Sequence, residues 1–392
     1  MQITIVGGGF GGVKAALTLS KDKRARITLI TDKPDFQYYP ALYGTATGHS
    51  HLQAWIPLGE IFADHDNIDV IIDSVTKLDK ASRTITTATG ATHKYNKLIL
   101  ALGSVTTYFG IPGLDDYAYG IKSHDEITRL KEHLLEEFSK PDGADKDFLI
   151  VGAGPTGVEL ASALGTYLKH LKKHYRQHQP RITISIIEAA PRVLPRMSEK
   201  ASALVSTRLK ELGVHVELNK KVEAETADAL VVSGKPIKSH TVIWTSGVAN
   251  NPFFKENADQ FELSPNGKVV VDAHLRSGHD VYVIGDNAFT QWSGLAQTAL
   301  RDGIFVAKHI LGESKKKYTA KLPPVVVPVG EDWAIFEYKK IRFGGWLGSK
   351  IRSVADFVGY SDILPFGQAL GVWRAQKIKE EFYYTAKPKT EV

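Results

Sequence analysis

Two groups of glycines stand where a pyrophosphate can be held. Gly7, Gly9 and Gly12, within Gln2-Ile-Thr-Ile-Val-Gly-Gly-Gly-Phe-Gly-Gly-Val-Lys-Ala-Ala-Leu-Thr-Leu19, have the G-x-G-x-x-G spacing. Gly152, Gly154 and Gly157, within Phe148-Leu-Ile-Val-Gly-Ala-Gly-Pro-Thr-Gly-Val-Glu-Leu-Ala-Ser-Ala-Leu164, repeat it. The three glycines of each group serve a tight turn, close approach of backbone to phosphate, and close packing of helix on strand. The helix that follows presents free N–H groups and the positive end of its dipole to the phosphates. An acid after the next strand completes the pattern by meeting a ribose hydroxyl, usually ~20 residues on. Asp32 follows Ile27-Thr-Leu-Ile-Thr31, and Glu188 follows Ile182-Thr-Ile-Ser-Ile-Ile187. A lone spacing of this kind also occurs in turns without a ligand; strand, helix and acid together make it a dinucleotide site. A glutamate at the second position accepts from a free 2′-hydroxyl and repels a 2′-phosphate, which favours NADH over NADPH. Arg192 lies near enough in sequence to hold a phosphate, so the NADPH alternative stays open.

The chain contains no cysteine. Disulfide staples, thiolate catalysis and cysteine metal sites are thereby excluded, and any redox chemistry belongs to bound cofactors. No metal-ligand pattern stands out; the histidines of the polar segment Leu168 to Pro180 read as the solvated end of a long crossover helix.

The positioning elements follow from the same stretches. An apolar strand enters each loop and an Ala/Leu-rich helix leaves it, so the fold class is α/β with two Rossmann-like dinucleotide-binding domains. A chain of 392 residues accommodates this, at ~100–200 residues per domain. No run reaches the ~18 apolar residues that span a bilayer. A strand beginning at Gln2 leaves no room for a signal peptide, so a start inside the cytoplasm is expected. The net charge of +6 is mildly basic and suits anionic cofactors or an anionic membrane surface. No nucleic-acid motif accompanies it.

The order of motifs resembles the two-dinucleotide-binding-domain flavoproteins, and within them the type II NADH:quinone oxidoreductases. Tyr95-Asn-Lys-Leu-Ile-Leu-Ala-Leu-Gly103, with Ala101 and Gly103, looks like the hinge segment between the two domains. Val281-Tyr-Val-Ile-Gly-Asp-Asn-Ala288 looks like the second FAD motif, with Gly285 and Asp286 toward the ribityl and phosphate part. Trp244-Thr-Ser-Gly-Val-Ala249, with Gly247, resembles the segment of the NADH domain that returns toward the flavin. Phe36 to Gly48, with Pro-Ala-Leu-Tyr43, resembles the region after the first acid. Gly154-Pro-Thr-Gly-Val-Glu-Leu-Ala161 and Gly294-Leu-Ala-Gln-Thr-Ala-Leu-Arg-Asp-Gly303 narrow the match. The family's Ala-Gln pair is present as Ala296 and Gln297; its further Gln four residues on is Arg301 here, which reads either as a cation of the acceptor pocket or as a surface residue.

The resemblance implies FAD at the N-terminal loop, NADH in an inserted middle domain, and hydride transfer to flavin N5 followed by two-electron reduction of a membrane quinone without proton pumping. Glu159 resembles a family glutamate near nicotinamide and flavin, and is expected in the first turn of its helix; a glutamate favoured there by the helix dipole is the plainer reading. The resemblance places Gln297 against the flavin carbonyl edge or the quinone; an ordinary polar helix residue is the plainer reading. The expected layout is an FAD-binding domain at 1–112 and 268–325, an NADH-binding domain at 113–267, and a C-terminal membrane-anchoring or dimerisation region at 326–392. In that tail Leu347, Ile351, Val354, Ala355 and Val358 sit at helical spacing with Lys350 and Arg352 between them, as in a helix lying in a membrane interface. Packing on the FAD domain, or a homodimer contact, accounts for the same composition. The implied location is the cytoplasmic face of the cell membrane. Two other functions fit: a soluble flavin reductase serving a ferredoxin-like protein, and an NADH-sensing flavoprotein.

Overall fold

A computed structural model describes residues 1–140, 146–177 and 182–384; the end of the tail and the last part of the polar segment before Ile182 lie outside them. The strands Val281–Val283, Lys97–Leu100, Gln2–Val6, Arg26–Thr31 and Ile68–Ile72 form one parallel sheet in that order. Their apolar residues are covered on both faces: Ile3, Ile5, Ile27 and Leu98 are fully buried. Val214–Glu217, Thr183–Ile187, Asp147–Val151 and Thr241–Trp244 form a second parallel sheet. In each unit a three-stranded antiparallel meander, Val75–Asp79 to Thr92–Lys94 or Val222–Thr226 to Lys235–Lys238, precedes the strand that closes against the glycine-loop strand. One plan has been used twice, and each glycine loop joins a central strand to its crossover helix, Phe10–Leu19 or Pro155–His174.

The helix Phe10–Leu19 buries Val13, Ala15, Ala16 and Leu19 and crosses Ala296–Ile310 at backbone contact. A Cβ added to Gly303 would lie 2.5 Å from the Gly11 carbonyl oxygen. The second FAD motif, on the turn before that helix, is thus pinned against the start of the first glycine-loop helix.

The two units meet at a short antiparallel ladder, Ser104–Thr106 against Val248–Asn250. Beyond it the chain changes core. Tyr108 and Ile111 already pack on the second unit's cluster around Leu149, Val242 and Trp244. Phe253, Phe254 and Phe261 pack with Val6, Ile30, Leu98 and Leu100 of the first. The chain therefore leaves the first core and returns to it close to this ladder.

The tail forms a three-stranded sheet, Val325–Pro328, Ala334–Tyr338 and Ile341–Gly345, and the helices Trp346–Ser361, Phe366–Ala375 and Glu380–Tyr384. It straddles both units. Ser198, which caps a helix of the second unit, donates through its backbone to Glu337 at 3.1 Å; Lys14 of the first reaches Asp362 at 2.9 Å. Glu381 pairs with Lys131 and accepts from Tyr167, and Ser50 N–H donates to the Ile378 carbonyl. The helix Trp346–Ser361 is divided lengthwise. Gly348, Asp356 and Tyr360 are buried, while Val354 and Val358 stand exposed. Arg352, one of the two bases between the apolar residues, is on the inner side with 12% of its side chain exposed. Helical spacing predicts the stripe correctly, but a basic residue beside it turns inward where buried carboxylates wait. No helix among the described residues is long and apolar enough to cross a membrane.

Candidate functional site

The two glycine loops are superimposable in their steric logic. Gly7 and Gly152 adopt φ of +109° and +107°, and a Cβ there would meet the Ala101 carbonyl oxygen or the Ser246 hydroxyl at 2.2 Å. At Gly12 and Gly157 a Cβ would meet the carbonyl oxygen of Gly7 or Gly152 at 1.9 Å, so helix and loop touch only because no side chain intervenes. Gly9 and Gly154 differ: a Cβ there meets nothing within 4 Å. These two are the N-caps of their helices, with extended backbone, no side-chain cap and no acid in the first turn. The helix-start N–H groups are left to an outside partner, in open space, at the positive end of the dipole. The residues present therefore fit two dinucleotides.

Asp32 lies exposed directly after its strand. Glu188 is held over its own loop, one carboxylate oxygen accepting from Ala153 N–H at 2.6 Å and the other from Ala190 N–H at 2.7 Å. Each oxygen keeps a lone pair for a ribose hydroxyl. The Arg192 guanidinium is engaged elsewhere, donating to the carbonyls of Met197 and Pro195, each at 2.6 Å.

Ala101-Leu-Gly103 and Thr245-Ser-Gly247 occupy equivalent places, each just past the strand that flanks a glycine-loop strand. Gly103 and Gly247 both have positive φ, +70° and +80°, and both feed the crossing ladder. Around Gly247 the Phe109 ring and the Thr107 carbonyl fill the space a Cβ would need. Gly285, at φ +66°, donates its N–H to the fully buried Asp302 at 3.0 Å, and burial pushes that carboxyl up to about 6. Asp286 accepts from the Ser104 hydroxyl at 2.9 Å. Ala296 and Gln297 open the helix Ala296–Ile310, half-buried, with no side-chain cap on its N-terminus. Arg301 donates to the Lys321 carbonyl at 3.1 Å, an exposed contact to the connector that leads into the tail.

Glu159 is the fifth residue of its helix, one past the first turn where it was expected, and it is buried. Arg352 Nη1 lies 3.0 Å from its carboxylate, and the same guanidinium donates to Asp356 at 2.9 Å, the Pro40 carbonyl at 2.7 Å and the Val326 carbonyl at 3.3 Å. Tyr38 donates to Asp356 at 3.1 Å, its ring lies 4.2 Å from that of Tyr360, and Tyr360 donates to the Gln53 carbonyl at 2.8 Å. The cluster joins a helix of the second unit, the Tyr38-to-Gln53 stretch of the first and the tail. Burial pushes the Glu159 carboxyl up to about 7, against the opposing pull of Arg352. Desolvation outweighs the ion pair because the one cation is shared between two buried carboxylates.

A family profile described as pyridine nucleotide-disulphide oxidoreductase matches residues 1–303. The chain belongs to that family. With no cysteine, this pyridine nucleotide-disulphide oxidoreductase relative has no dithiol of its own to use. Among curated proteins it is similar to the type II NADH:quinone oxidoreductase Ndh of Mycobacterium tuberculosis, 29% identical over 92% of this chain and 85% of that protein. It is also similar to the type II NADH:quinone oxidoreductase of Staphylococcus haemolyticus, 28% identical over 79% of this chain and 81% of that one. The solved structure of NDH2 from Plasmodium falciparum in complex with NADH matches with a TM-score of 0.87 at 18% identity, covering 99% of both chains. The sulfide:quinone oxidoreductase of Aquifex aeolicus matches at 0.78 and 18%, over 97% of this chain and 92% of that one. At such identities the structures show the fold alone.

Sequence reasoning missed Arg352, Asp356, Tyr38, Tyr360, Asn287 and Asp302. Two signals were present: Arg352 and Asp356 are four apart inside an apolar helix, and Asn287 directly follows Gly-Asp in the second motif. Neither says which distant backbone the side chain reaches.

Gly154→Ala should fold with an unchanged melting temperature yet raise KM for the nicotinamide dinucleotide. Gly157→Ala should lower stability by about 1–3 kcal/mol, since helix and loop must separate; thermal melting and steady-state kinetics distinguish them. For Glu159, the folded carboxyl binds its proton more tightly than the unfolded one, so the folded state holds more protons between pH 4.5 and about 7 and stability falls across that window as pH rises. Glu159→Gln should flatten this slope in urea titrations; an unchanged slope would exclude Glu159 as its source.

Proposed function

We propose that this chain is an FAD-dependent NADH:quinone oxidoreductase, non-electrogenic, working at the cytoplasmic face of the cell membrane. The observation that carries the reading is the pair of open, uncapped glycine cradles on one chain, their units joined through a short ladder. The names of the curated relatives and the absence of thiol chemistry support a quinone as the acceptor. Bound FAD supplies hydride acceptance from NADH and two-electron delivery to the quinone.

The chain's own residues bind and orient. Gly7, Gly9 and Gly12 with Asp32, Gly285 and Asp286 hold the FAD; Ala101, Gly103 and Ala296 line its path. Gly152, Gly154, Gly157, Glu188 and Gly247 hold NADH. Glu188, fixed by two backbone donors, takes a 2′-hydroxyl, and Arg192 is committed to its own loop, which supports NADH over NADPH. Glu159, protonated in part at neutral pH, relays a proton toward the reduced acceptor, with Arg352 holding the carboxyl in place. Gln297, at an uncapped helix start, contacts the flavin edge or the quinone. Orientation carries much of the acceleration, up to roughly 7–11 kcal/mol for well-aligned reactants.

Membrane contact falls to the outer face of the tail, where Trp346, Val354, Val358 and Phe366 are exposed beside Lys350. A homodimer can use part of the same surface.

Rapid mixing with NADH should bleach the flavin absorbance, and a soluble quinone should restore it faster than oxygen does. NADH should exceed NADPH in kcat/KM by at least about tenfold, or ~1.4 kcal/mol. Reoxidation by a ferredoxin but not by quinone would favour the soluble flavin reductase, and a persistent reduced-flavin complex with every acceptor would favour the sensor. Glu159→Gln should slow turnover and remove an inflection near pH 7 from the rate profile; unchanged hydride-transfer and quinone-reduction rates would end its role. Replacing Trp346 and Phe366 by Ser should lower partition into anionic vesicles roughly tenfold per aromatic, ~1.4 kcal/mol each. Equal partition would remove the tail from the contact.

A further inference from the structure

We propose that Asn287 is a positioning residue that holds the NADH-binding unit in reactive register with the flavin-binding turn. The inference rests on the nicotinamide-to-flavin reading above. Asn287 follows Gly285 and Asp286, and it is fully buried. Its Oδ1 accepts from Gly103 N–H at 2.9 Å, and its Nδ2 donates both to the Gly103 carbonyl at 2.7 Å and to Asn250 Oδ1 at 2.7 Å. Its backbone carbonyl accepts from Val269 N–H at 2.8 Å. Asn250 in turn donates to the Gly267 carbonyl at 2.6 Å.

These partners are the crossings. Gly103 is the last residue before the outgoing strand Ser104–Thr106, and Asn250 ends the returning strand Val248–Asn250, where it pairs with Ser104. Only three ladder positions join the strands, so that ribbon by itself is too short to fix an angle between two domains. The Asn287 amide cross-links both strands to the turn whose neighbour, Asp286, is assigned to the flavin. The orientation of the amide is fixed by its partners: the Gly103 N–H needs an acceptor, and the two facing oxygens need donors. Because a misplacement of ~1 Å between reacting groups costs on the order of 100-fold in rate, a cross-link here bears on hydride transfer without touching either cofactor's reacting atoms.

Asn287→Asp keeps the volume but sets a carboxylate oxygen against two oxygens. Asn250→Ala leaves the Gly103 clamp intact and cuts the link to the returning strand, together with that residue's own bond to the Gly267 carbonyl. The holoenzymes are compared by rapid-mixing reduction with NADH and with 4-deuterated NADH, by the long-wavelength charge-transfer band with NAD⁺, and by flavin content and dithionite reduction. The expected result is full flavin content and normal dithionite reduction in Asn250→Ala, with NADH-dependent reduction slowed about 10- to 100-fold, a larger deuterium effect and a weaker charge-transfer band. Asn287→Asp should show at least the same loss, and the double variant no more than Asn287→Asp alone. Wild-type rates and isotope effects in Asn250→Ala would overturn the proposal. So would loss of flavin from both variants, which would make the amide part of the flavin cradle only. Failure of the wild-type protein to be reduced by NADH would instead overturn the oxidoreductase reading.

Discussion

The architecture depends on a contact that exists only where side chains are missing. In both units the helix after the glycine loop begins so close to the loop that a single Cβ would overlap a carbonyl oxygen. This closeness aims the uncapped helix start at the space beside Gly9 or Gly154. A phosphate placed there would meet peptide N–H groups and the positive end of the helix dipole. Because the same solution appears twice, the two sites inherit equivalent surroundings, down to the positive-φ glycines, Gly103 and Gly247, that lead into the crossing ladder.

A second constraint acts across the units. Arg352 carries a buried charge that two carboxylates and two carbonyl groups must satisfy together, and those groups come from three separate parts of the chain. A buried ion cluster is a poor source of net stability, because desolvation offsets its attraction. Its geometry is nonetheless demanding. With the tail helix docked as it is, Glu159 is left with a carboxyl that shares its cation and holds its proton near neutrality. Position and protonation of that group are thus set by the same packing.

The family name speaks of disulphides, yet this chain has no cysteine. Both glycine loops are built from backbone geometry, and neither needs a thiol. The tail presents two faces on one helical segment and its neighbour. The inner face completes the ion cluster, and the outer face exposes Trp346, Val354, Val358 and Phe366.

The α/β class, the two glycine loops with their strand-and-helix settings and the helical stripe of the tail were legible from residue type and spacing, because each is a local pattern. Glu159 was visible as a residue but not as a buried group, and Arg352 only as a base within the tail's helical stripe, because neither the 193-residue separation between them nor the desolvation they share leaves a trace in local periodicity. Phe253, Phe254 and Phe261 likewise join a core built by strands far away in sequence, which no local pattern announces. Local stereochemistry, then, determined what can bind; only tertiary packing, which brings distant polar groups together out of water, decided how the two binding units are held and which carboxyl keeps its proton.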